Sequence, residues 1–140
     1  MLQPSRTKFR CDRKGRSGII RNITHRGVEL EYGVAGLKAT EPGRITAGQI
    51  ESCRRVMIRT IKKLKGKLII RIFPHKPVSK KPAEVRMGGG KGGPEFWVSI
   101  IKPGRMLFEI CSVEKPIAIE LLKAVQYKLP VSTKVIMREE

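Results

Sequence analysis

The segment from residue 74 to residue 94 restricts the fold more than any other part of this 140-residue chain. Pro74, Pro77 and Pro82 fall within nine residues, and proline interrupts helices and the interior of sheets. Five of the next residues, within 88–93, are glycine. We therefore expect a long, extended, basic loop at 74–94, set between the regular elements of a single domain that covers residues 1–140.

The positive charge is concentrated in two stretches. The chain carries 30 Lys and Arg against 12 Asp and Glu, a net charge of +18. Residues 1–26 carry +7 and residues 54–91 carry +12, whereas residues 27–53 and 92–140 are nearly balanced at −2 and +1. So large an excess needs an anionic partner, and nucleic acid is the commonest one. We expect residues 1–27 to form a basic RNA-binding arm.

Several other classes of protein are disfavoured. No run of about 18 apolar residues would span a membrane, and the first six residues lack the apolar core of a secretory signal. Cys11, Cys53 and Cys111 are far apart in sequence, so we expect reduced, semi-buried thiols rather than disulfides or a zinc site. His25 and His75 stand alone, and no catalytic set is apparent. We expect no catalytic residue, metal, cofactor, membrane or small-molecule substrate.

The glycine run formally matches the dinucleotide fingerprint GxGxxG at Gly88, Gly90 and Gly93. That fingerprint requires a strand before it and a helix after it, whereas here a proline-rich stretch precedes it and a strand follows. The bare backbone, flanked by Arg86 and Lys91, is better suited to lie close to phosphate groups. A mobile linker without a partner is the alternative interpretation.

A helix with two unlike faces is predicted from Thr46 to about Leu64. Thr46 and Gln49 have the spacing of a capping box. At 100° per residue, one face carries the apolar residues Ile50, Cys53, Met57, Ile61 and Leu64, and the opposite face carries Arg55, Arg59, Lys62 and Lys63. Solvated faces usually mix acids with bases, yet no acid occurs from residue 52 to residue 83. This face is therefore predicted to contact phosphates.

The remaining elements predict an α+β fold, a compact mixed sheet with two helices. Strands are expected at 28–32, 67–73, 96–101, 106–111 and 131–137, with a turn bracketed by Gly33 and Gly36 and a loop at 41–45. Core packing is expected for Phe96 and Trp97, and stacking of one of them on a base is the alternative.

A turn and a second helix are predicted in the last third of the chain. Residues 102–105, Lys-Pro-Gly-Arg, have the composition of a type II turn, so the strands at 96–101 and 106–111 are expected to form a hairpin. The second helix is predicted to start at Pro116 and to end at Leu129-Pro130. Its expected apolar stripe is Ile117, Leu121, Ala124 and Val125.

Short motifs in a fixed order run along the whole chain. They are Met1-Leu2-Gln3-Pro4, Arg6-Thr7-Lys8-Phe9-Arg10, Lys14-Gly15-Arg16, Gly36-Leu37-Lys38-Ala39, Arg44-Ile45-Thr46, Gln49-Ile50-Glu51, Arg54-Arg55, Arg71-Ile72-Phe73-Pro74, Lys76-Pro77, Lys81-Pro82, Val85-Arg86-Met87-Gly88, Gly90-Lys91-Gly92, Glu95-Phe96-Trp97-Val98, Lys102-Pro103-Gly104 and Lys128-Leu129-Pro130. Together they resemble the bacterial and organellar uL16 family of large-subunit ribosomal proteins.

The resemblance implies an α/β hammerhead fold with a basic N-terminal arm and a long central loop. It implies a structural component of the large ribosomal subunit rather than an enzyme. Such a protein would bind large-subunit rRNA near the peptidyl-transferase region and the central protuberance, and would help to position tRNA in the A and P sites. Its other partners would be neighbouring large-subunit proteins. Its location would be the ribosome of a bacterial cytoplasm or of an organelle, plastid or mitochondrial.

The charge pattern and the resemblance together select the candidate site residues. The expected rRNA-binding residues are Arg6, Lys8, Arg10, Arg13, Lys14, Arg16, Arg54, Arg55, Arg59, Lys62 and Lys63. The expected loop residues that face rRNA and tRNA are Lys76, Lys80, Lys81, Arg86, Met87, Gly88, Gly90 and Lys91. The sequence departs from the family pattern over residues 17–32, at Cys11 and Asp12, and at His75. A free-standing RNA-binding chaperone or regulator is the alternative function.

Overall fold

The computed structural model describes residues 2–13 and 22–138. Its helices and strands follow in chain order: β1 (Ala35–Ala39), β2 (Gly43–Thr46), α1 (Ala47–Lys63), β3 (Lys67–Ile70), β4 (Lys76–Ser79), β5 (Pro94–Ile101), β6 (Met106–Cys111), α2 (Lys115–Gln126) and β7 (Thr133–Met137). The α+β class with two helices, expected from the sequence, is confirmed.

The strands form two antiparallel sheets, not the single mixed sheet that was expected. A four-stranded sheet has the order β3-β6-β1-β7, and a three-stranded sheet has the order β2-β5-β4. We call them the large sheet and the small sheet. Both helices contact the large sheet, α1 through β3 and α2 through β1 and β7, and α1 also contacts β2 and β5 of the small sheet.

The expected hairpin between residues 96–101 and 106–111 is wrong, although its turn is right. Gly104 has φ of +87°, and the N–H of Arg105 donates to the carbonyl of Lys102 at 3.2 Å, as in a type II turn. However, the N–H of Gly104 donates to the carbonyl of Ala39 at 2.7 Å. The turn is thus bonded to the end of β1, and it passes the chain from β5 in the small sheet to β6 in the large sheet.

The strand expected at 28–32 and the turn expected at 33–36 are also wrong. Residues 28–32 form no regular element, and β1 begins at Ala35 instead. The central strand β1 lies between β6 and β7, with Ala35, Leu37 and Ala39 buried on one face and Gly36 buried on the other. A strand buried on both faces shows no alternation of apolar and polar residues, so the period-2 rule selected the wrong segment.

Helix α1 begins as the sequence predicts. The N–H of Gln49 donates to Thr46 Oγ1 at 3.2 Å, and the N–H of Thr46 donates to Gln49 Oε1 at 2.9 Å, which completes the capping box. The apolar face is buried at Ile50, Cys53, Met57 and Ile61. Leu64, expected on that face, is the C-cap and is 42% exposed, because it lies beyond the last helical residue.

Helix α2 has Pro116 in its first turn, as expected, but ends at Gln126 rather than at Leu129. Its fully buried residues are Ala118, Leu122 and Val125. Ile117 and Leu121 are only partly buried against the core, and Ala124 is exposed. The buried stripe is therefore rotated by about one residue from the expected one.

The core lies where the helices pack on the large sheet. Phe108 and Ile110 of β6 and Leu37 of β1 are fully buried together with the apolar residues of both helices. Over the described part of the chain, no helix is long and apolar enough to cross a membrane.

Candidate nucleic-acid interface

The exposed face of α1 carries four cations, Arg55, Arg59, Lys62 and Lys63, all of which are exposed. Arg55 and Arg59, and then Arg59 and Lys63, are separated by one helical turn, so like charges repel along this face. The opposite face of α1 is in the core, and the helix therefore presents these cations outward. Lys65 and the exposed Lys67 at the start of β3 continue the cationic surface. We call these six residues the α1 cationic face.

Glu51 borders the α1 cationic face and is held by two arginines. Arg54 donates to both carboxylate oxygens of Glu51 at 2.8 Å, and Arg55 Nε donates to Oε1 at 3.1 Å. The hydrogen bonds from Arg54 first, and from Arg55 second, lower the pKa of Glu51 from 4.5 to about 2. Arg54, one of the predicted rRNA-binding residues, thus neutralises Glu51, whereas Arg55 keeps 76% of its side chain exposed.

The described part of the basic arm is irregular in conformation but docked on the domain. Arg6, Lys8, Arg10 and Arg13 are exposed along it. Leu2 packs against the hydrophobic core near the start of α1 and β5. Two further predicted residues of the arm, Lys14 and Arg16, lie outside the described residues.

The segment expected to be a loop at 74–94 consists of a paired stem and an exposed tip. Residues 76–79 form β4, which pairs with β5 at the edge of the small sheet, and Pro77 is tolerated there because an edge strand leaves some backbone groups unpaired. Beyond β4, the N–H of Lys80 donates to the carbonyl of Gly93 at 3.2 Å. Residues 82–90 are exposed and form the tip.

The glycine run has two different roles in this loop. Gly88, Gly89 and Gly90 have φ of +105°, +69° and +96°, and a Cβ on any of them would meet open space. These glycines supply left-handed backbone at the tip. A Cβ on Gly92 would instead lie 2.4 Å from the carbonyl oxygen of Lys80, so this glycine allows the two sides of the stem to approach.

The predicted loop residues are divided between stem and tip. Arg86, Met87, Gly88 and Gly90 lie on the tip, and Met87 is fully exposed. Lys80 and Lys81 follow β4, and the ammonium of Lys81 donates to the carbonyl of Gly88 across the loop. Lys91 donates to the backbone carbonyl of Asp12 in the arm. Lys76 belongs to β4, has 17% of its side chain exposed and pairs with Asp12 at 3.1 Å.

Phe96 and Trp97 do not pack in the core as expected. Phe96 is 41% exposed and Trp97 is half-buried, whereas Val98 and Ile101 are the apolar residues that β5 buries. The hydrophobicity of the first half of β5 suggested burial, but Phe96 and Trp97 line a surface groove beside Leu2 and the start of α1.

Sequence reasoning missed a buried polar cluster that sets the start of β1. Glu109 on β6 is fully buried and accepts the N–H groups of Tyr32 and Gly33 at 2.8 and 3.0 Å. Arg71 pairs with the other oxygen of Glu109, reaches Glu31 at 3.0 Å and lies 5.5 Å from the centre of the Tyr32 ring. The sequence offered one signal, a lone acid inside an apolar strand, but not its partners.

The cysteines and acids give no sign of a metal or catalytic centre in the described residues. The three cysteines are free, and burial raises the pKa of the Cys53 thiol to about 11. Among residues 2–13 and 22–138, no group of three His, Cys, Asp or Glu side chains could hold a metal ion.

Comparison with known proteins gives consistent matches along the chain. Residues 4–136 match the family described as ribosomal protein L16p/L10e. The large ribosomal subunit protein uL16 of Rhizorhabdus wittichii is 55% identical over 138 residues, which cover 99% of this chain and 94% of the relative. Both matches include the arm, α1, the loop and the large sheet, so the similarity is not limited to one motif.

Proposed function

The chain belongs to the ribosomal protein L16p/L10e family, and on that premise we propose that it binds large-subunit rRNA through its arm and its α1 cationic face and contacts tRNA through its loop tip. It is a structural component of the large ribosomal subunit and not an enzyme. Family membership does not favour a free-standing RNA chaperone or regulator.

The α1 cationic face is the observation that carries the proposal for rRNA. Its cations are exposed, and the sequence contains no acid from residue 52 to residue 83. The like charges of this face repel one another, which destabilises the helix slightly. A phosphate backbone would offset that repulsion. Each neutralised phosphate would also release condensed counterions, which favours binding.

The loop tip supports the proposal for tRNA. Arg86 and Met87 are exposed on a glycine-rich tip that the paired stem holds away from the core. A cation beside an unburied methionine suits a surface that meets both the phosphates and the apolar faces of RNA. We place this tip toward the tRNA in the A and P sites, between the peptidyl-transferase region and the central protuberance, as the family resemblance implies. The ribosome in question is that of a bacterium or an organelle.

The rRNA contact is tested with a triple variant, Arg55→Ala, Arg59→Ala and Lys63→Ala. Binding of the protein to a large-subunit rRNA fragment is measured over a series of salt concentrations. We expect the salt slope to fall by about three, since each lost phosphate contact lowers it by roughly one. The unfolding free energy should change by less than about 0.5 kcal/mol, because these side chains are exposed.

The matched control removes the same charge elsewhere, with Lys123→Ala, Lys128→Ala and Lys134→Ala on α2, the segment that follows it and β7. If both triple variants weaken binding equally, the α1 cationic face is not a specific RNA surface. Sedimentation of the wild-type protein in a cell lysate separates the alternative function: a salt-stable association with large subunits supports the proposal, and a mainly free pool contradicts it.

The tRNA contact is tested with Arg86→Ala and Met87→Ala, which leave the stem untouched. Large subunits that contain the variant should assemble at the wild-type level. Affinity for A-site tRNA should fall by roughly tenfold, the equivalent of about 1.4 kcal/mol. Unchanged tRNA affinity, or equal loss of assembly and tRNA binding, would contradict a tip that faces tRNA.

A further inference from the structure

The described part of the arm, residues 2–13, contacts the rest of the domain at both of its ends. Leu2 packs against the hydrophobic core in a groove between the start of α1 and β5. Cys11 and Asp12 lie beside the stem of the loop. The arm and the loop are the two segments with the most unusual composition, and the fold brings them into direct contact.

Three polar interactions make this contact. Asp12 Oδ2 lies 3.1 Å from the ammonium nitrogen of Lys76 on β4. The ammonium of Lys91 donates to the backbone carbonyl of Asp12. The thiol of Cys11 donates to the carbonyl of Gly92 at 3.5 Å. We call these five residues the arm–stem contact.

On the arm's side, the bond to Lys91 uses a backbone carbonyl, which any residue could supply. The thiol of Cys11 is only a weak donor. The carboxylate of Asp12 is therefore the side chain of the arm on which the contact mainly depends. Asp12 is the only acid among the first 26 residues, where every other charged residue is a cation. Its partner Lys76 has 17% of its side chain exposed and Asp12 has 52%, so this pair is partly shielded and is screened less than a fully exposed pair. The hydrogen bond from Lys76 is also the largest of the effects that lower the pKa of Asp12.

Without Asp12, the arm and the stem would repel each other. Arg10 and Arg13 flank Asp12 in the arm, and Lys76 and Lys91 contact Asp12 from the stem. Like charges in such proximity oppose docking unless an anion lies between them. Asp12 also accepts the N–H of Arg13 at 2.7 Å on its second oxygen, which fixes the carboxylate in place.

We propose that Asp12 is a positioning residue that fastens the N-terminal arm to the stem of the loop, so that the two segments keep a fixed relation before any RNA binds. Rigid placement of a binding segment lowers the entropy that binding must overcome. Any effect of Asp12 on tRNA binding rests on the proposed function, whereas the arm–stem contact itself does not.

The test is hydrogen exchange on the free full-length protein, read at the amide of Lys80, whose bond to Gly93 closes the stem. Asp12→Asn should speed exchange at this amide by about fivefold, with no change at the amides of β6. Glu84→Gln, which removes an equal charge from an exposed acid on the tip, is the control and should leave the amide of Lys80 at the wild-type rate.

A charge-reversal pair separates positioning from simple loss of structure. Asp12→Lys alone should speed exchange more than Asp12→Asn, and adding Lys76→Asp should bring the rate back to within about twofold of wild type. An unchanged rate in Asp12→Asn, or no recovery in the reversed pair, would overturn the proposal. Because no RNA is present, this failure is distinct from failure of the tip variants to affect tRNA.

Discussion

The large sheet and the small sheet differ in where their charged residues lie. In the large sheet, the one buried carboxylate, Glu109, is fully paired by Arg71 and two backbone N–H groups, and the helices cover its apolar face. The small sheet carries an exposed loop and a docked basic arm. The residues that stabilise the fold and those proposed to contact nucleic acid therefore occupy different parts of one short chain.

Helix α1 lies between these two regions and shows how they coexist. Its buried face, which includes Ile50 and Met57, contributes to the core, while the α1 cationic face points away from it. Since burial of apolar side chains is the main source of stability, the repulsion among exposed cations is a small cost by comparison. A net charge of +18 is therefore compatible with a folded domain.

The largest effect is expected from breaking the buried cluster of the large sheet. Glu109→Ala leaves Arg71 without its buried partner and two N–H groups without an acceptor, which should lower the free energy of unfolding by about 3–5 kcal/mol. Chemical denaturation measures this change. Glu120→Ala, at an exposed position on α2, is the control and should stay within about 0.5 kcal/mol of wild type. A similar, small effect of both variants would remove the contrast between the two sheets.

A smaller and more local effect is expected in the small sheet. Gly92→Ala places a Cβ against the backbone at Lys80 and should favour opening of the stem by about 1–3 kcal/mol. Hydrogen exchange at the amide of Lys80 reports this opening. Gly89→Ala puts its methyl group into open space, so its strain of about 1–2 kcal/mol should stay at the tip. If Gly89→Ala opens the stem as much as Gly92→Ala, the division into stem and tip is wrong.

The smallest effect concerns pH at the boundary of the two regions. Arg54 and then Arg55 lower the pKa of Glu51 from 4.5 to about 2, so the stabilisation from this carboxylate is complete above pH 4.5 and is lost as the pH falls toward 2. Glu51→Gln should therefore flatten the stability profile between pH 4.5 and pH 2, and leave its shape between pH 5 and pH 7 unchanged. Thermal unfolding across this range measures the profile, with Glu120→Gln as control. If the ion pairs contribute nothing, Glu51→Gln and the wild type will have the same profile.

Features of the fold set by local interactions could be predicted from the sequence. The capping box of Thr46 and Gln49, the buried stripe from Ile50 to Ile61 and the type II turn at Gly104 each depend on residues a few positions apart. Sheet pairing depends on residues far apart in sequence, which is why the turn was right while its hairpin was wrong. The segment at 28–32 alternates like a strand but forms no regular element, and the N–H of its last residue, Tyr32, donates to the distant Glu109.

The candidate site could be predicted from the sequence only in part, for the same reason. The spacing of Arg55, Arg59 and Lys63 predicts one cationic helix face, and the structure places all three there. Whether these residues bind rRNA stays a prediction. Composition alone assigned Lys76 to an extended basic loop, because the strand β4 and the partner Asp12 become visible only in three dimensions. The resemblance to the uL16 family, carried by ordered motifs, is confirmed.

The most direct test of this division is the reactivity of individual lysines toward an amine-specific reagent, measured in the free protein, in large subunits and in ribosomes with tRNA bound. We predict that Lys62 and Lys63 lose reactivity in large subunits with or without tRNA, and that Lys91 beside the loop tip gains further protection only when tRNA is present. Lys62 and Lys63 that remain as reactive in the subunit as in the free protein would contradict an rRNA contact at the α1 cationic face.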